Sequence, residues 1–202
     1  MKTRRIDSAT KLKLLEAAQR LMLAKGFTAT SVEEICAAAE LTKGSFFHYF
    51  RSKEELGKAV LDYFMASMFQ SLRDSPFFQS SDPRQRIYGY IEFMIEVSRD
   101  PERSSGCLLG NFAQVLSDTH PDIRALCAHH FSWWAGILKH ELDEAVAGLA
   151  PRKSAVDTQV LAEHFIALFE GSLTLAKTRQ DFRIIERNLR NYQQYLKSIF
   201  AD

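Results

Sequence analysis

Apolar residues recur along this chain at intervals of three and four positions, the period of an amphipathic α-helix. The first such stripe consists of Leu14, Leu15, Ala18, Leu21 and Met22. It ends at Gly26, a residue type that commonly stands just past the C-terminus of a helix. No stretch shows the strict alternation of apolar and polar residues that is typical of a β-strand. The pattern therefore predicts an all-α fold of about nine helices.

Prolines, glycines and capping residues divide the chain after residue 50 into further helices. The pattern predicts helices at about 53–73, 83–98, 105–116, 121–148, 154–177 and 182–200. Pro83 and Pro121 stand at the first helical position, where a missing N–H costs nothing. We expect an N-terminal head over residues 1–52, followed by a helical body over residues 53–202.

The stretch from Ser31 to Leu56 has the densest set of local signals. Ser31 with Glu34 forms a capping box, in which each side chain accepts a hydrogen bond from the other residue's N–H. Thr42 can cap a second short helix, and Ser52 with Glu55 predicts a second capping box at the start of a third. Two short helices joined by a tight turn and followed at once by another helix are typical of a helix-turn-helix.

The second short helix of this stretch has two different faces. Phe46 and Phe50 are one helical turn apart and are expected to point inward. The outward residues all carry hydrogen-bonding side chains: Lys43, Ser45, His48 and Tyr49. A small helix with an aromatic buried face and a polar exposed face suits insertion into a DNA groove.

The run TKGSFFHYFRSKEEL resembles the signature of the TetR-type transcriptional repressors. The detailed similarity covers residues 8–58, and two local echoes follow, SSGCLLGNFA at 104–113 and EGSLTLAKTRQD at 170–181. The resemblance implies an operator-binding head and an all-helical body that dimerises and binds a small molecule. It also implies DNA contacts from Thr42, Lys43, Gly44, Ser45, Phe47, His48, Tyr49 and Lys53.

Phe47 and Lys53 are the two positions of this signature that we interpret further. The family usually has tyrosine at the position of Phe47, whose hydroxyl bonds a DNA phosphate. Phenylalanine lacks that hydroxyl, so we expect Phe47 to pack, while Tyr49 and Lys53 carry more of the phosphate contact. Lys53 begins the next helix, where the N–H groups and the dipole favour phosphate. Base readout is expected from Thr42, Lys43, Ser45 and His48.

Composition and charge agree with a DNA-binding regulator without proving it. Of the 202 residues, 46% are hydrophobic, yet no apolar run is long enough to cross a membrane and no signal segment is evident. Residues 1–58 carry a net charge of +4, and the remainder carries −3. Cys36, Cys107 and Cys127 show neither metal-site nor disulfide spacing, which favours the cytoplasm.

The last two predicted helices have long apolar stripes. The residues expected at a subunit interface are Phe165, Phe169, Ser172, Ile185, Leu189, Tyr192 and Leu196. These stripes can instead face the body's own core. In a chain of this size one stripe suffices for that core, and the resemblance implies a two-fold dimer through a four-helix bundle.

The aromatic content of the body suggests an apolar cavity for an unidentified, largely apolar effector. The residues expected to line it are Cys107, Asn111, Trp133, Trp134 and Phe169. Cys107 is expected in the first turn of a helix, where the helix dipole lowers the pKa of a thiol. Some relatives with a similar segment sense electrophiles or oxidants through such a cysteine. The alternative is that Cys107 is a small buried apolar residue.

No catalytic constellation or phosphate-binding loop is evident, so we expect neither an enzyme nor a cofactor. Cys127, His129, His130, His140 and His164 are of the residue types that bind metals, but their spacing does not favour a site, and no metal is expected. We expect a repressor that binds palindromic operator DNA as a homodimer. The alternative is a helical enzyme or carrier whose head contacts a protein partner. Neither the operator nor the choice between repressor and activator follows from the sequence.

Overall fold

The computed structural model describes residues 2–99, 106–147 and 156–201, with side chains from residue 9 onward. Within these ranges the chain is α-helical and contains no strand, as predicted. The helices are α1 (Lys2–Lys25), α2 (Val32–Ala38), α3 (Lys43–Tyr49), α4 (Lys53–Arg73), α5 (Pro83–Arg99), α6 (Leu108–Leu116), α7 (Pro121–Val146), α8 (Thr158–Arg179) and α9 (Arg183–Phe200). A short 3-10 helix, Pro76–Gln79, lies between α4 and α5.

The helix boundaries follow the predicted signals, except at the starts of α6 and α8. Helix α8 begins at Thr158 rather than near residue 154. Pro83 and Pro121 begin α5 and α7, and Gly26 ends α1 with a φ of +85°, a conformation that favours glycine. Helix α6 begins at Leu108 rather than near residue 105. Gly106 has a φ of +123°, which is incompatible with a right-handed helix, so the helix cannot begin near residue 105 as predicted. Cys107 directly precedes the first residue of α6. Ser104 and Ser105, named in the prediction, lie outside the described residues.

The chain divides into two compact units. The first consists of Met1–Met68 and Leu108–Cys127, and the second of Phe69–Cys107 and Ala128–Asp202. The first unit therefore contains more than the predicted head, because it includes most of α4 together with α6 and the start of α7. The predicted division into a head of residues 1–52 and a body of residues 53–202 stays a prediction.

The core of the first unit lies beneath α1, α2 and α3. Phe27 packs with the edge of its ring toward Phe112, at a centroid distance of 5.5 Å. Gly57 of α4 lies against Phe27 so closely that a Cβ at residue 57 would stand 2.8 Å from the Phe27 ring. Since real Cβ atoms do not approach so closely, a side chain at residue 57 would force the Phe27 ring to move, and glycine allows α4 to pack closely against it.

The core of the second unit is formed by α5, α7, α8 and α9. It contains all seven residues predicted for the subunit interface: Phe165, Phe169, Ser172, Ile185, Leu189, Tyr192 and Leu196. None of them is more than 5% exposed, because the chain's own helices already cover them. The prediction that these side chains face a partner is therefore wrong, and the alternative, that they fill the protomer's own core, is correct.

Candidate DNA-binding and effector sites

Helix α2 begins with the predicted capping box. The Ser31 Oγ accepts a hydrogen bond from the Glu34 N–H at 3.2 Å, and the Glu34 carboxylate accepts one from the Ser31 N–H at 2.9 Å. Lys25 also pairs with Glu34 and is the largest of the causes that lower the pKa of Glu34 to about 2. These contacts fix the start of α2 relative to the end of α1.

The turn between α2 and α3 is fixed by backbone hydrogen bonds. The Leu41 N–H donates to the Cys36 carbonyl at 2.9 Å, and the Glu40 N–H donates to the Ala37 carbonyl at 3.1 Å. This pair of bonds is a Schellman motif, with Glu40 in the left-handed conformation at φ +56°. Thr42 then caps α3 by accepting the Ser45 N–H at 3.1 Å, as predicted. The direction of α3 is thus set within a few residues of α2.

Helix α3 presents the predicted inward face. Phe46 and Phe50 are 0% and 3% exposed and contact each other at a ring distance of 5.9 Å. Lys43 and His48 are exposed, whereas Ser45 and Tyr49 are half-buried. The hydroxyls of Thr42 and Ser45 lie 3.0 Å apart and share a hydrogen bond. The outer surface of α3 is therefore polar at its start and aromatic toward its end.

Phe47 does not pack as the sequence analysis expected. Its side chain is 57% exposed and touches the protein through an edge contact with Phe46 at 5.1 Å. Phe46 and Phe50 already occupy the inward positions, and the residue after Phe46 lies about 100° further round the helix. The expectation of a packed Phe47 is wrong, and an apolar ring stands on the outer face of α3.

Lys53 has partners within the protein. Its Nζ donates to the carbonyls of Phe27, Thr28 and Thr30 at 3.1, 3.4 and 3.0 Å, and it lies 4.5 Å from the centre of the Phe27 ring. An ammonium group has three donors, and here all three are directed at the loop between α1 and α2. In this structure Lys53 therefore holds that loop, and its contact with a DNA phosphate stays a prediction.

The second capping box, at the start of α4, is only half formed. Ser52 Oγ accepts the Glu55 N–H at 3.1 Å, as predicted. The Glu55 carboxylate, however, accepts the N–H of Arg51 at 2.8 Å instead of that of Ser52. The N-terminus of α4 is nevertheless capped, which keeps Lys53 in position beside the loop.

The exposed basic residue of α3 has an acidic neighbour on α2. Lys43 forms an ion pair with Glu33, and both side chains are more than half exposed. The Lys43 ammonium, by its hydrogen bond, is the main cause that lowers the pKa of Glu33. The outward face of the helix-turn-helix thus carries paired charges of both signs.

Three of the five residues predicted for the effector cavity lie in one part of the second unit. Trp134 donates from Nε1 to the Tyr90 hydroxyl at 2.7 Å and meets the Phe169 ring at 6.1 Å. Cys107 is buried, and its thiol hydrogen-bonds the carboxyl of Glu170. Tyr90 and Glu170 belong to this cluster but were missed by the sequence analysis. The signal that could have found Glu170 is its position as the lone charged residue within FIALFEGSLTLA.

Trp133 and Asn111 do not join this cluster. Trp133 is 37% exposed and packs against Phe69 at 4.9 Å, because adjacent residues of a helix point in different directions. Asn111 is half-buried on α6 and belongs to the first unit. Cys107 directly precedes the first residue of α6, so it stands at the N-terminal end of this helix rather than within its first turn, and the expected effect of the helix dipole on its thiol stays a prediction.

The remaining candidate chemistry is unremarkable in the described ranges. No group of three His, Cys, Asp or Glu side chains there is arranged to hold a metal ion. Burial raises the pKa of Cys127 to about 11 and also raises the pKa of Cys36. None of the described helices combines the length and apolar character needed to span a membrane.

Comparisons with known proteins match both parts of the chain. The family model described as bacterial regulatory proteins, tetR family, matches residues 14–60, and the model described as Tetracyclin repressor-like, C-terminal domain, matches residues 83–192. The HTH-type transcriptional repressor DhaR of Mycobacterium sp. (strain GP1) is 30% identical over 188 residues, covering 93% of this chain and 88% of DhaR. The HTH-type transcriptional repressor NemR of Escherichia coli (strain K12) is 34% identical over 116 residues, covering 57% of this chain and 58% of NemR.

Solved structures agree with the fold. The reduced form of E. coli NemR superposes with a TM-score of 0.78 at 29% identity, covering 95% of this chain and 97% of that one. A TetR transcriptional regulator from Chloroflexus aurantiacus has a TM-score of 0.85 at 23% identity, covering 96% of both chains, and supports the fold alone. With its capped α2, the fixed turn and the outward face of α3, this chain belongs to the TetR family of bacterial helix-turn-helix transcriptional regulators.

Proposed function

We propose that this protein is a repressor that binds palindromic operator DNA as a homodimer and leaves it when a small molecule binds its body. The observation that supports this most directly is the outward face of α3, with exposed Lys43, Phe47 and His48 on a helix whose direction is fixed by its caps. The alternative, an enzyme or carrier whose head binds a protein, has no comparable support. The site of action is then the cytoplasm, where the operator DNA lies.

The reading surface that we propose consists of the start and outer face of α3. Lys43 and His48 can donate to base edges, and the Thr42 and Ser45 hydroxyls can serve as further polar contacts. Gly44 is exposed, and a Cβ there would meet only the Thr42 hydroxyl at 3.6 Å, so its bare backbone can approach a phosphate. Tyr49, half-buried, remains a candidate for a phosphate contact through its hydroxyl.

Phe47 adds a contact that a polar residue could not make. An exposed apolar side chain on a recognition helix can pack against the methyl group of thymine in the major groove. The ring is more than half exposed and meets the ring of Phe46 through an edge contact, so its free side can reach a base edge. We therefore propose that Phe47 contributes to base preference through thymine rather than to phosphate binding.

The dimer is proposed to form through the outer face of α8 and α9, since the inner face is already occupied. On α8 the exposed positions recur at helical spacing: Val160, His164, Ala167, Gly171 and Leu175. Tyr195 of α9 is 48% exposed, and its ring lies 6.3 Å from that of His164. This surface includes large apolar side chains and a glycine that permits close helix approach, as a two-fold helical interface requires.

Release from DNA is proposed to follow from differential binding to two dimer states. Two recognition helices must be about 34 Å apart, or a multiple of that, to enter successive major grooves of one DNA face. An effector that binds more tightly to a dimer state in which the two helices are differently spaced lowers operator affinity. The loss corresponds to the difference between the effector's binding free energies for the two states. A switch through oxidation of Cys107 receives less support, because its thiol is buried and hydrogen-bonded.

The test is a gel-shift experiment with the DNA that flanks the protein's own gene. The wild type is compared with a variant in which Lys43, Ser45 and His48 are all replaced by alanine, and with Lys177→Ala, an exposed lysine of α8, as the control. We expect loss of operator preference in the triple variant and no change in the control. Operator preference that survives in the triple variant would contradict the proposed reading surface.

A further inference from the structure

Glu170 is a half-buried acidic residue of α8 that follows the core residue Phe169. Its carboxyl oxygen Oε1 is fully buried and has no hydrogen-bond partner among the described residues. The other described contact of the carboxyl is the hydrogen bond from the Cys107 thiol. A buried acceptor without a donor is unfavourable, and it is uncommon in folded proteins unless something else satisfies it.

The local environment favours the neutral acid unless a positive charge arrives. Burial is the main cause that raises the pKa of Glu170 to about 7, and the Cys107 hydrogen bond opposes it only in part. Near neutral pH the carboxyl is thus close to the balance between its two forms. A cation at Oε1 would shift that balance to the carboxylate and would remove the cost of the unsatisfied oxygen.

Aromatic rings are linked to this carboxyl through Cys107. Burial is the main cause that raises the pKa of Tyr90, and the Cys107 thiol, which hydrogen-bonds Glu170, also raises it. Trp134 donates a hydrogen bond to the Tyr90 hydroxyl, and its ring meets that of Phe169 at 6.1 Å. Tyr90 lies 5.2 Å from Phe165. The faces of such rings attract cations as well as apolar groups. One cluster therefore combines an unsatisfied carboxyl oxygen with a surface suited to an apolar body.

A small void borders the aromatic part of this cluster rather than Glu170 itself. It has a volume of about 10 Å³, lies between α5, α7, α8 and α9, and is lined by Tyr90 and Phe165 but not by Glu170. That is close to the volume that a single water needs, and far below the roughly 300 Å³ of a ligand pocket. A molecule that binds here must displace side chains, which would couple its binding to the packing of these helices.

We propose that Glu170 is the charge-recognising residue of the effector site and that the effector is a small, largely apolar amine whose ammonium donates to Oε1. The inference deepens the proposed function, on which it rests for the existence of an effector. Tyr90, Trp134 and Phe169 contact the apolar part of the amine, and Glu170 selects its charge. Neutral molecules of the same shape bind more weakly, since they offer a weaker donor or none.

The test uses isothermal titration calorimetry on the full chain without DNA, with phenethylamine and phenethyl alcohol as a matched pair of probes. We expect the wild type to bind the amine about tenfold more tightly than the alcohol, the advantage of one charge-assisted hydrogen bond over a neutral one. Glu170→Gln, which keeps the shape but cannot become negative, should lose that advantage. Glu163→Gln is the control, because Glu163 lies on the same helix but is exposed.

Several results would overturn the inference. One is equal affinity of the wild type for the amine and the alcohol, or no saturable binding of the amine at about 10 mM, where a millimolar ligand saturates. Another is a preference for the amine that is undiminished in Glu170→Gln, or that is lost equally in the control Glu163→Gln. Because DNA is absent, failure of operator binding cannot produce any of them. Release of operator DNA by some other compound, with no amine binding, would refute the role of Glu170 and leave the proposed function standing.

Discussion

Gly171 offers a direct test of the proposed dimer surface. It is exposed on α8, and a Cβ built on it meets nothing within 4 Å. Gly171→Arg should therefore leave the protomer's packing unchanged. Replacing glycine within a helix by arginine should even stabilise the helix, by up to about 0.8 kcal/mol. Any loss of assembly in this variant then reports on the surface rather than on folding.

The expected effect on the dimer is large because the two-fold axis applies the substitution twice. An unpaired charge buried at an interface costs about 3 kcal/mol or more. A single such cost raises the dimer dissociation constant by about two orders of magnitude, and two of them raise it further. Operator affinity should fall with it, because a single head makes only half of the contacts.

The assay is sedimentation velocity over a range of protein concentrations, with circular dichroism to verify folding. Gly136→Arg on α7 is the matched control, since that glycine is also exposed with nothing within 4 Å of a built Cβ. We expect a monomer for Gly171→Arg and a dimer for Gly136→Arg. An intact, folded Gly171→Arg dimer would refute the proposed interface. Leu189→Glu cannot serve this purpose, because Leu189 is 0% exposed and a charge there would unfold the protomer.

Three further predictions concern individual side chains. The pKa of Glu170 is about 7 in the folded protein and about 4.3 in the unfolded chain. As the pH rises from about 4.3 to 7, the unfolded state loses its proton before the folded state does, so the contribution of Glu170 to the unfolding free energy should fall by ~1.4 kcal/mol per pH unit and then level off. Urea unfolding at several pH values should show that fall in the wild type and not in Glu170→Gln; parallel curves would contradict the burial of the carboxyl. Lys53→Ala should lower stability by about 2 kcal/mol, since it leaves three carbonyls without their charged donor. Lys43→Ala should leave stability unchanged and should flatten the salt dependence of DNA binding by less than the roughly one unit of slope expected for a lysine that has no acidic partner. Thermal unfolding and gel shifts separate the two, and a flattened slope with unchanged stability in Lys53→Ala would support its predicted phosphate role instead. Phe47→Ala should weaken operator binding by ~1 kcal/mol. Uracil, which lacks the methyl group, in place of the contacted thymine should weaken operator binding by the wild type but not by Phe47→Ala. An equal loss of binding in both proteins would rule out the methyl contact.

The sequence predicts the head better than the body because the head's signals are local. Ser31 and Glu34, or Thr42 and Ser45, interact across three residues, so their pattern determines their contacts. Lys53 instead reaches Phe27, 26 positions away, and only the folded chain brings them together. Helix identity can be read from periodicity, but periodicity alone does not say which partner covers an apolar face.

The body shows that limit most clearly. The stripe through Leu189 was correctly identified as apolar, but whether it faces the chain's own core or a second subunit depends on the packing of four helices. Trp133 and Trp134 are neighbours in sequence and yet have different surroundings. Glu170 is informative only once the structure shows that nothing among the described residues satisfies its buried oxygen.

The ion pair of Lys43 with Glu33 makes the protein supply its own counter-ion to the reading helix. When DNA approaches, Lys43 must exchange a carboxylate that is covalently part of the protein for a phosphate. The local concentration of that carboxylate does not change when salt is diluted, unlike that of a dissolved anion. Lowering the salt concentration therefore increases the contribution of Lys43 to non-specific DNA binding less than it would increase that of a lysine without an acidic partner. If Lys43 contacts DNA as proposed, Glu33 competes with every base or phosphate for the same ammonium group. An acidic residue beside the proposed reading surface would then favour discrimination between sequences over affinity for DNA in general.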